Sequence, residues 1–387
     1  MNTKEFLFPE LAQDFLLRPD VTFLNHGSFG ACPRPVFERY QAWQRELEAQ
    51  PVEFLGRRLT GLLAEARARL AAYVGTDADN VVFVPNATKG TNIVARSLDL
   101  QPGDEVLGTN HEYGAAERTW RFVCRQRGAR YLSQTISLPV DDPDAAVEQF
   151  WAGVTERTRV IFLSHITSPT ALILPVEQIC QRAKAAGILT VIDGAHAPGQ
   201  IDLNLDQLGA DFYTGNCHKW LCAPKGSGFL YAPPERQPLL QPLVVSWGWE
   251  SRNPGPSPFI DYLEWVGTND PAAYLSVPAA IDYQTQHNWH DVRRACHQLG
   301  RQIRHDIQTL TGQPHIAPDS QTWWMQLFAL PIQTDNPAQL KERLWDEHQI
   351  EVPIITWEEH TFVRLSLQAY NAPQDGAKLL EALKQLL

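Results

Sequence analysis

The sequence lacks the features that mark several large classes of protein. It has no CxxC motif, and its six cysteines are scattered over 387 residues. A chain of this length does not need disulfides, so we expect reduced thiols and a cytoplasmic protein. No apolar run is long enough to cross a bilayer, and residues 1–20 contain no apolar leader segment, so neither a membrane span nor secretion is predicted. The formal net charge of −11 predicts no nucleic-acid partner.

Two common catalytic motifs are also missing from the chain. There is no HExxH or other close-spaced set of ligands, and the histidines that follow apolar runs are widely separated. A metal hydrolase is therefore disfavoured, and no metal site is predicted. No GxGxxG opens a first βαβ unit, which disfavours a nicotinamide-dependent dehydrogenase.

Short apolar runs alternate with amphipathic helical patterns from Val81 to Tyr231. This alternation predicts an α/β fold with a large, mostly parallel sheet that is covered by helices on both faces. A Pro-, Gly- and Trp-rich stretch from Pro233 to Pro258 is the predicted domain connection. We therefore predict an N-terminal arm over 1–20 that packs on the small domain, a large domain over 21–255, and a connecting helix with a small α+β domain over 256–387.

Two apolar runs end in residues that are chemically informative. Asp193 follows the run Ile188–Ile192, and Lys219 comes shortly after the run Ala210–Tyr213. Strand ends line the ligand crevice of an open α/β sheet. A lysine and an aspartate in these positions suit pyridoxal 5′-phosphate (PLP), with a Schiff base on Lys219 and with Asp193 holding the ring nitrogen protonated.

A turn at Pro85–Gly90 follows the predicted strand Val81–Val84 and precedes a predicted helix. The order of strand, small-residue turn and helix places backbone N–H groups where a phosphate can dock, and an ordinary capped helix gives the same pattern. From this pattern alone the capped helix, with Thr88 or Asn86 as its cap, is favoured.

Three segments together resemble the class V aminotransferase group of fold-type I PLP enzymes: Asp193–His196, Gly215–Trp220 and Pro224–Tyr231. The opening Leu24–Gly30 resembles the branch that contains isopenicillin N epimerase and the hercynylcysteine sulfoxide lyases. The resemblance covers nearly the whole chain. It is specific for the cofactor and not for the reaction, because one active site serves several chemistries in this branch.

The resemblance implies roles for individual residues. Lys219 corresponds to the Schiff-base lysine and Asp193 to the partner of the ring nitrogen, and His196 is implied to contact the phenolic oxygen of the ring. His218 and Thr88 are implied to bind the phosphate, and the backbone N–H groups of Ala87 and Thr88 are implied as further donors at the helix start. Thr268 matches a residue that reaches the phosphate across a dimer interface, which implies a homodimer with shared active sites. Arg364 resembles the arginine that holds the substrate carboxylate, a task suited to a fork of N–H donors.

Other assignments keep alternatives open. His111 and Tyr113 both align with the residue that stacks on the ring or returns a proton, and Tyr113 is preferred. His165 stands where related desulfurases have Asn, and we expect it to be near the cofactor. Asn25 and His26 are expected at the substrate.

We therefore predict a PLP-dependent enzyme that takes an α-amino acid and uses Lys219 to remove its Cα proton, as isopenicillin N epimerase does. A C–S lyase acting on a cysteine derivative or a hercynylcysteine sulfoxide is the alternative, and an aminotransferase comes next. A cysteine desulfurase is disfavoured because no cysteine occurs between Met325 and Leu387. A silent binding protein is disfavoured by the intact Asp193, Lys219 and Arg364. Arg57 and Arg58 suggest surface ion pairs, although one could reach a distal carboxylate.

Overall fold

The computed structural model describes residues 4–387; residues 1–3 of the predicted N-terminal arm lie outside that range. The strands are β1 (Thr22–Phe23), β2 (Val81–Val84), β3 (Glu105–Thr109), β4 (Arg130–Gln134), β5 (Thr158–Ser164), β6 (Leu189–Gly194), β7 (Phe212–Asn216), β8 (Gly228–Tyr231), β9 (Leu327–Ile332), β10 (Ile350–Glu351), β11 (Ile354–Trp357) and β12 (His360–Ser366).

The α-helices are α1 (Pro9–Ala12), α2 (His26–Phe29), α3 (Arg34–Ala49), α4 (Pro51–Glu53), α5 (Leu59–Val74), α6 (Ala87–Ser97), α7 (Gly114–Arg127), α8 (Pro143–Trp151), α9 (Val176–Ala185), α10 (Leu205–Leu208), α11 (Pro258–Glu264), α12 (Ala272–Leu275), α13 (Val277–Gln286), α14 (Trp289–Thr311), α15 (Pro337–Asp346) and α16 (Pro373–Leu386). A π-helical turn spans Phe54–Arg58, and short 3-10 turns span Ala78–Asn80 and Gln237–Leu239. No helix among residues 4–387 has the length and apolar character needed to span a membrane.

Seven strands form the large sheet, in the order β2-β8-β7-β6-β5-β3-β4. The five strands β3, β4, β5, β6 and β7 are parallel to their neighbours among themselves, and β8 is antiparallel to both of its neighbours, β2 and β7. The prediction of a large, mostly parallel sheet covered by helices is therefore confirmed. Because β5, β6 and β7 are parallel, their carboxyl ends at Ser164, Gly194 and Asn216 meet at one edge of the sheet.

Both faces of the large sheet are buried, as the continuous apolar runs predict. Val160 and Phe162 of β5 belong to one apolar cluster, and Ile161 and Leu163 of the same strand belong to the other. Successive side chains of a strand point to opposite faces, so a continuous apolar run packs against the helices on both faces of the sheet.

The small domain contains an antiparallel sheet in the order β11-β12-β9. Against it packs α14, whose buried residues recur at helical spacing, for example Val292, Cys296, Leu299 and Ile303. The N-terminal segment contacts this part of the chain, since the Leu7 N–H donates to the Asn371 carbonyl oxygen at 3.3 Å.

Three local features divide the elements outside the large sheet. β1 pairs in parallel with β10, so residues 22–23 join the C-terminal part of the chain and not the large sheet. β10 and β11 are separate strands, since Pro353 lacks the N–H that a ladder needs. Three helices, α12 to α14, follow Pro271, and α13 is separated from α14 at Asn288, where φ is 46°.

Candidate active site

One pocket of about 420 Å³ lies at the edge where β5, β6 and β7 end. The turns that follow these strands line it, together with the start of α6, the turn before α7 and part of β12. Both domains therefore contribute to the pocket, which is the place where an open α/β sheet binds its ligand.

Lys219 projects into this pocket from the turn that follows β7. Its Nζ lies 3.1 Å from Nε2 of His196. Desolvation, followed by the charge of Arg364, lowers the pKa of Lys219 to about 7, although Asp193 acts in the opposite direction. A large fraction of this amine is therefore neutral near pH 7 and is available as a nucleophile or a base.

The ring of His196 is fixed by Trp220, whose Nε1–H donates to His196 Nδ1 at 3.1 Å. Indole N–H only donates, so the proton of the neutral imidazole lies on Nε2, next to the Lys219 amine. Burial, followed by the charge of Lys219, holds the pKa of His196 well below its ordinary value. His196 therefore presents an N–H donor to the pocket.

Asp193 is near the end of β6 and is 5% exposed. Its Oδ1 accepts a hydrogen bond from the Ala195 N–H at 2.9 Å. Burial raises the pKa of this carboxyl, while the Ala195 N–H and the charge of Lys219 lower it. Because this buried carboxylate accepts one backbone hydrogen bond at Oδ1, its other oxygen is available to accept from a cationic ring nitrogen.

The start of α6 forms the other end of the pocket. The Ala87 N–H donates to Asn216 Oδ1 at 2.8 Å, and Asn86 caps the helix by accepting from the Lys89 N–H. His218 Nδ1 lies 2.8 Å from the Ser227 carbonyl oxygen, so it must carry the proton that it donates. Thr88, Asn216 and His218 line this end, where a helix N-terminus suits a phosphate.

Arg364 comes from β12 and is 6% exposed. Its Nη1 donates to the Ser168 carbonyl oxygen at 2.9 Å and its Nη2 to Ser28 Oγ at 3.0 Å, but its Nε has no partner. Desolvation lowers the pKa of this guanidinium to about 10, which still leaves it charged at neutral pH. A buried cation that meets only neutral acceptors is suited to an anion from outside.

These groups fit PLP. The pocket combines a partly neutral lysine, a buried carboxylate, a helix N-terminus for a phosphate and an arginine for a substrate carboxylate. In residues 4–387, the His, Cys, Asp and Glu side chains form no group of three or more that could hold a metal ion.

The family model for class V aminotransferases matches residues 30–379. The chain belongs to this family. It is a PLP-dependent enzyme of the fold-type I class, as the sequence predicted.

The chain is 38% identical to the isopenicillin N epimerase of Amycolatopsis lactamdurans over 386 residues, which cover 96% of each chain. It is 23% identical to the hercynylcysteine sulfoxide lyase of Schizosaccharomyces pombe, with 97% of this chain and 96% of the relative covered. Among solved structures, a lysine-to-alanine mutant of C-DES with glycine covalently linked to its PLP cofactor matches with a TM-score of 0.83 and 21% identity, over 95% of this chain and 97% of that chain. The recognition of the family and of its branch is confirmed.

Of the two candidates for the ring-stacking position in this class V enzyme, only Tyr113 lines the pocket. His111 is fully buried elsewhere: its ring nitrogens lie 2.7 Å from Thr170 Oγ1 and 2.8 Å from the Ile136 carbonyl oxygen. The structure therefore does not bring His111 to the site. The two residues are two positions apart, and the sequence pattern did not separate them.

His165 also points away from the pocket. Its Nδ1 lies 2.9 Å from the Tyr213 hydroxyl, and its ring lines a cavity near Leu174 and Asn204 instead. Neighbouring side chains of an extended chain point to opposite faces. Because the Ser164 side chain faces the pocket, the His165 side chain faces away from it.

Asn25 and His26 lie one layer behind the pocket. His26 Nε2 donates to the Lys219 carbonyl oxygen at 3.0 Å, and Asn25 Oδ1 accepts from the Ser28 hydroxyl at 2.5 Å. Gly30 closes this turn at φ +73°, and a Cβ there would lie 2.0 Å from the His218 carbonyl oxygen. The turn at residues 25–30 therefore contacts the backbone of Lys219 through His26 and contacts the Arg364 side chain through Ser28.

Sequence reasoning did not identify Ser28, Ser168 and Asn216 as residues of the pocket. Asn216 stands three residues before Lys219 and ends β7, which is the signal that could have identified it. Thr268 is exposed and is not part of the pocket of its own chain.

Proposed function

We propose that this PLP-dependent enzyme removes the Cα proton of an α-amino acid and returns it on the opposite face, as an epimerase. The observation that carries the proposal is the buried Arg364 guanidinium, whose Nε has no partner, in the same pocket as the Lys219 amine and Asp193. The extended similarity to an isopenicillin N epimerase supports the choice of reaction.

The roles follow from the chemistry of each side chain. Bound PLP supplies an electron sink for the pair left when the Cα–H bond breaks. Asp193 would hold the ring nitrogen, and Thr88, Asn216 and His218 would hold the phosphate. Arg364 binds the substrate carboxylate with two parallel N–H bonds, which fixes the orientation of Cα.

Proton transfer is assigned to two side chains. Lys219 accepts the Cα proton, since desolvation leaves much of its amine neutral near pH 7. The His196 N–H orients that amine through the 3.1 Å contact. Tyr113, whose hydroxyl-bearing ring lines the pocket and is 47% exposed, is the proposed donor on the other face.

A C–S lyase is the second candidate. The hercynylcysteine sulfoxide lyase relative is matched over nearly its whole length, and loss of a β-sulfur substituent needs the same Cα deprotonation. Transfer of sulfur through a persulfide is not proposed, because residues 325–387 contain no cysteine and Cys217 and Cys222 near Lys219 are fully buried.

We also propose a homodimer in which Thr268 of each chain reaches the phosphate end of the other pocket. Thr268 is exposed on its own chain, and exposed apolar side chains such as Trp247, at 87%, suit a surface that a second copy covers. A cytoplasmic location is proposed because all six cysteines are free. Full activity from a monomer in solution would contradict the role of Thr268.

The experiment that decides the reaction is incubation of PLP-loaded enzyme in heavy water with a panel of amino acids and thioether sulfoxides. Deuterium at Cα with inversion, seen by mass spectrometry and chiral chromatography, supports the epimerase. Pyruvate and ammonia with a released sulfur fragment establish the lyase. A colourless protein that PLP cannot reconstitute overturns the assignment of these residues to the cofactor.

A further inference from the structure

Glu112 is a buried carboxylic acid without an assigned role in the reaction. It lies in the turn between β3 and α7 and is 8% exposed. Its two oxygens accept hydrogen bonds from Thr109 Oγ1 and Ser164 Oγ, each at 2.6 Å. No ion pair among residues 4–387 includes Glu112.

Glu112 is connected to the pocket through Ser164. Ser164 lines the pocket and pairs in register with Asp193 on the neighbouring strand. The titratable groups that face Glu112 are Asp193 from β6 and Tyr131 from β4. Two acids therefore share a buried region, and ionising both is costly because like charges repel strongly there.

The partners of the two acids decide which one keeps a proton. Asp193 accepts from a backbone N–H and lies near the cationic Lys219, and both favour its charged form. The side chains that bond to Glu112 are hydroxyl groups, which can either donate or accept, and the backbone at Thr109 makes only the smallest contribution to its pKa. When Glu112 is protonated, its O–H can donate to Ser164 Oγ, and the Ser164 proton then turns towards the pocket.

We propose that Glu112 is a positioning residue that stays protonated, which keeps the negative charge of this buried region on Asp193 and directs the Ser164 hydroxyl into the pocket. The inference rests on the role proposed for Asp193. Burial raises the pKa of Glu112 to about 7, in keeping with this division.

The first test uses cofactor-free protein, so it does not depend on the proposed reaction. The folded state holds the Glu112 proton up to about pH 7, whereas an unfolded glutamate releases it near 4.5. The stabilisation from this proton is therefore lost as the pH rises between these values. The melting temperature of the wild type, relative to Glu112→Gln, is expected to fall by several degrees from pH 5 to pH 8.

The matched control is Glu38→Gln, which alters an exposed glutamate and should leave the difference in melting temperature flat over the same range. The proposal is overturned if the difference in melting temperature between the wild type and Glu112→Gln does not change between pH 5 and pH 8. If that variant does not fold, Ser164→Ala replaces it. Loss of the Ser164 donor should then move the inflection to higher pH, and an unmoved inflection overturns the inference.

The second test is the pH dependence of the visible absorption of PLP-loaded protein. The wild type should show a shift of its absorption band as Glu112 ionises near pH 7, and the permanently neutral Glu112→Gln should not. Identical pH profiles for the two proteins count against Glu112. If no band forms at all, the proposed function fails while the melting experiment still decides the ionisation of Glu112.

Discussion

The two sides of the pocket differ in where their polar side chains come from. On the strand-end side, Asp193 lies near the end of β6, and His196 and Lys219 lie in the turns that follow β6 and the neighbouring β7. Ala195, the partner of Asp193, is two residues away, and Trp220, the partner of His196, is next to Lys219 in the turn after β7. On the arginine side, Arg364 of β12 meets Ser28 and Ser168, which lie far from it in sequence. The strand-end side is set by two adjacent parallel strands and the turns that follow them, whereas the arginine side forms only when three remote segments meet.

The difference extends to how completely the groups are paired. Each functional group of the strand-end side already has a neighbour that fixes its proton or its orientation, for example the contact between His196 and Lys219. Arg364 retains an Nε without a partner. We infer that the first side is organised for proton transfer and the second for receiving an anion, and the variants below separate these two tasks.

Lys219→Ala should have the largest effect, because it removes the amine from the strand-end side. We expect a loss of at least about 10³-fold in turnover, within the range found for removal of a general base. The visible absorption that borohydride abolishes in the wild type should not form. The matched control is Lys225→Ala, an exposed lysine six residues on, which should keep both colour and activity.

Arg364→Ala should instead leave every side chain of the strand-end side in place, although loss of the Arg364 charge should raise the pKa of Lys219. Loss of the guanidinium removes a buried charged contact to the substrate carboxylate, so KM should rise about 10²- to 10³-fold. The visible absorption should remain. Arg364→Lys keeps the charge but loses the fork, so it should recover only part of this affinity. A variant that loses its colour together with its affinity would show that the two sides are not separable.

The same division explains how much the sequence could predict. The sheet, its two-sided core and the positions of Asp193, His196 and Lys219 follow from apolar runs and from the residues at their ends. Ser28 and Ser168 could not be predicted, because nothing local indicates that they meet Arg364. The histidines His26, His111 and His165 were misjudged for a related reason: a sequence shows that a histidine is present but not which way its ring points.

The pH dependence of PLP uptake tests the strand-end side without a substrate. Because the pKa of Lys219 is lowered to about 7, its neutral fraction rises about ten-fold between pH 6 and pH 8. The rate at which cofactor-free protein gains its visible band should rise by a similar factor and then level off. N-α-acetyl-lysine, with an ordinary amine, should show no plateau below pH 9. A rate that still climbs steeply at pH 9 would contradict the lowered pKa.

Ser28→Ala should have the smallest effect, and it is the most specific test of the arginine side. The variant removes the hydroxyl that accepts from Arg364 Nη2 at 3.0 Å and leaves the guanidinium itself in place. Loss of one such hydrogen bond is worth roughly 1–1.5 kcal/mol, so KM should rise about 5- to 10-fold with little change in kcat. The matched control is Ser97→Ala, whose hydroxyl bonds to Ile93 and Gln241, away from the pocket. If Ser28→Ala lowers kcat and leaves KM unchanged, then Ser28 affects Lys219 and not substrate binding by Arg364. That result would contradict the assignment of Ser28 to the arginine side.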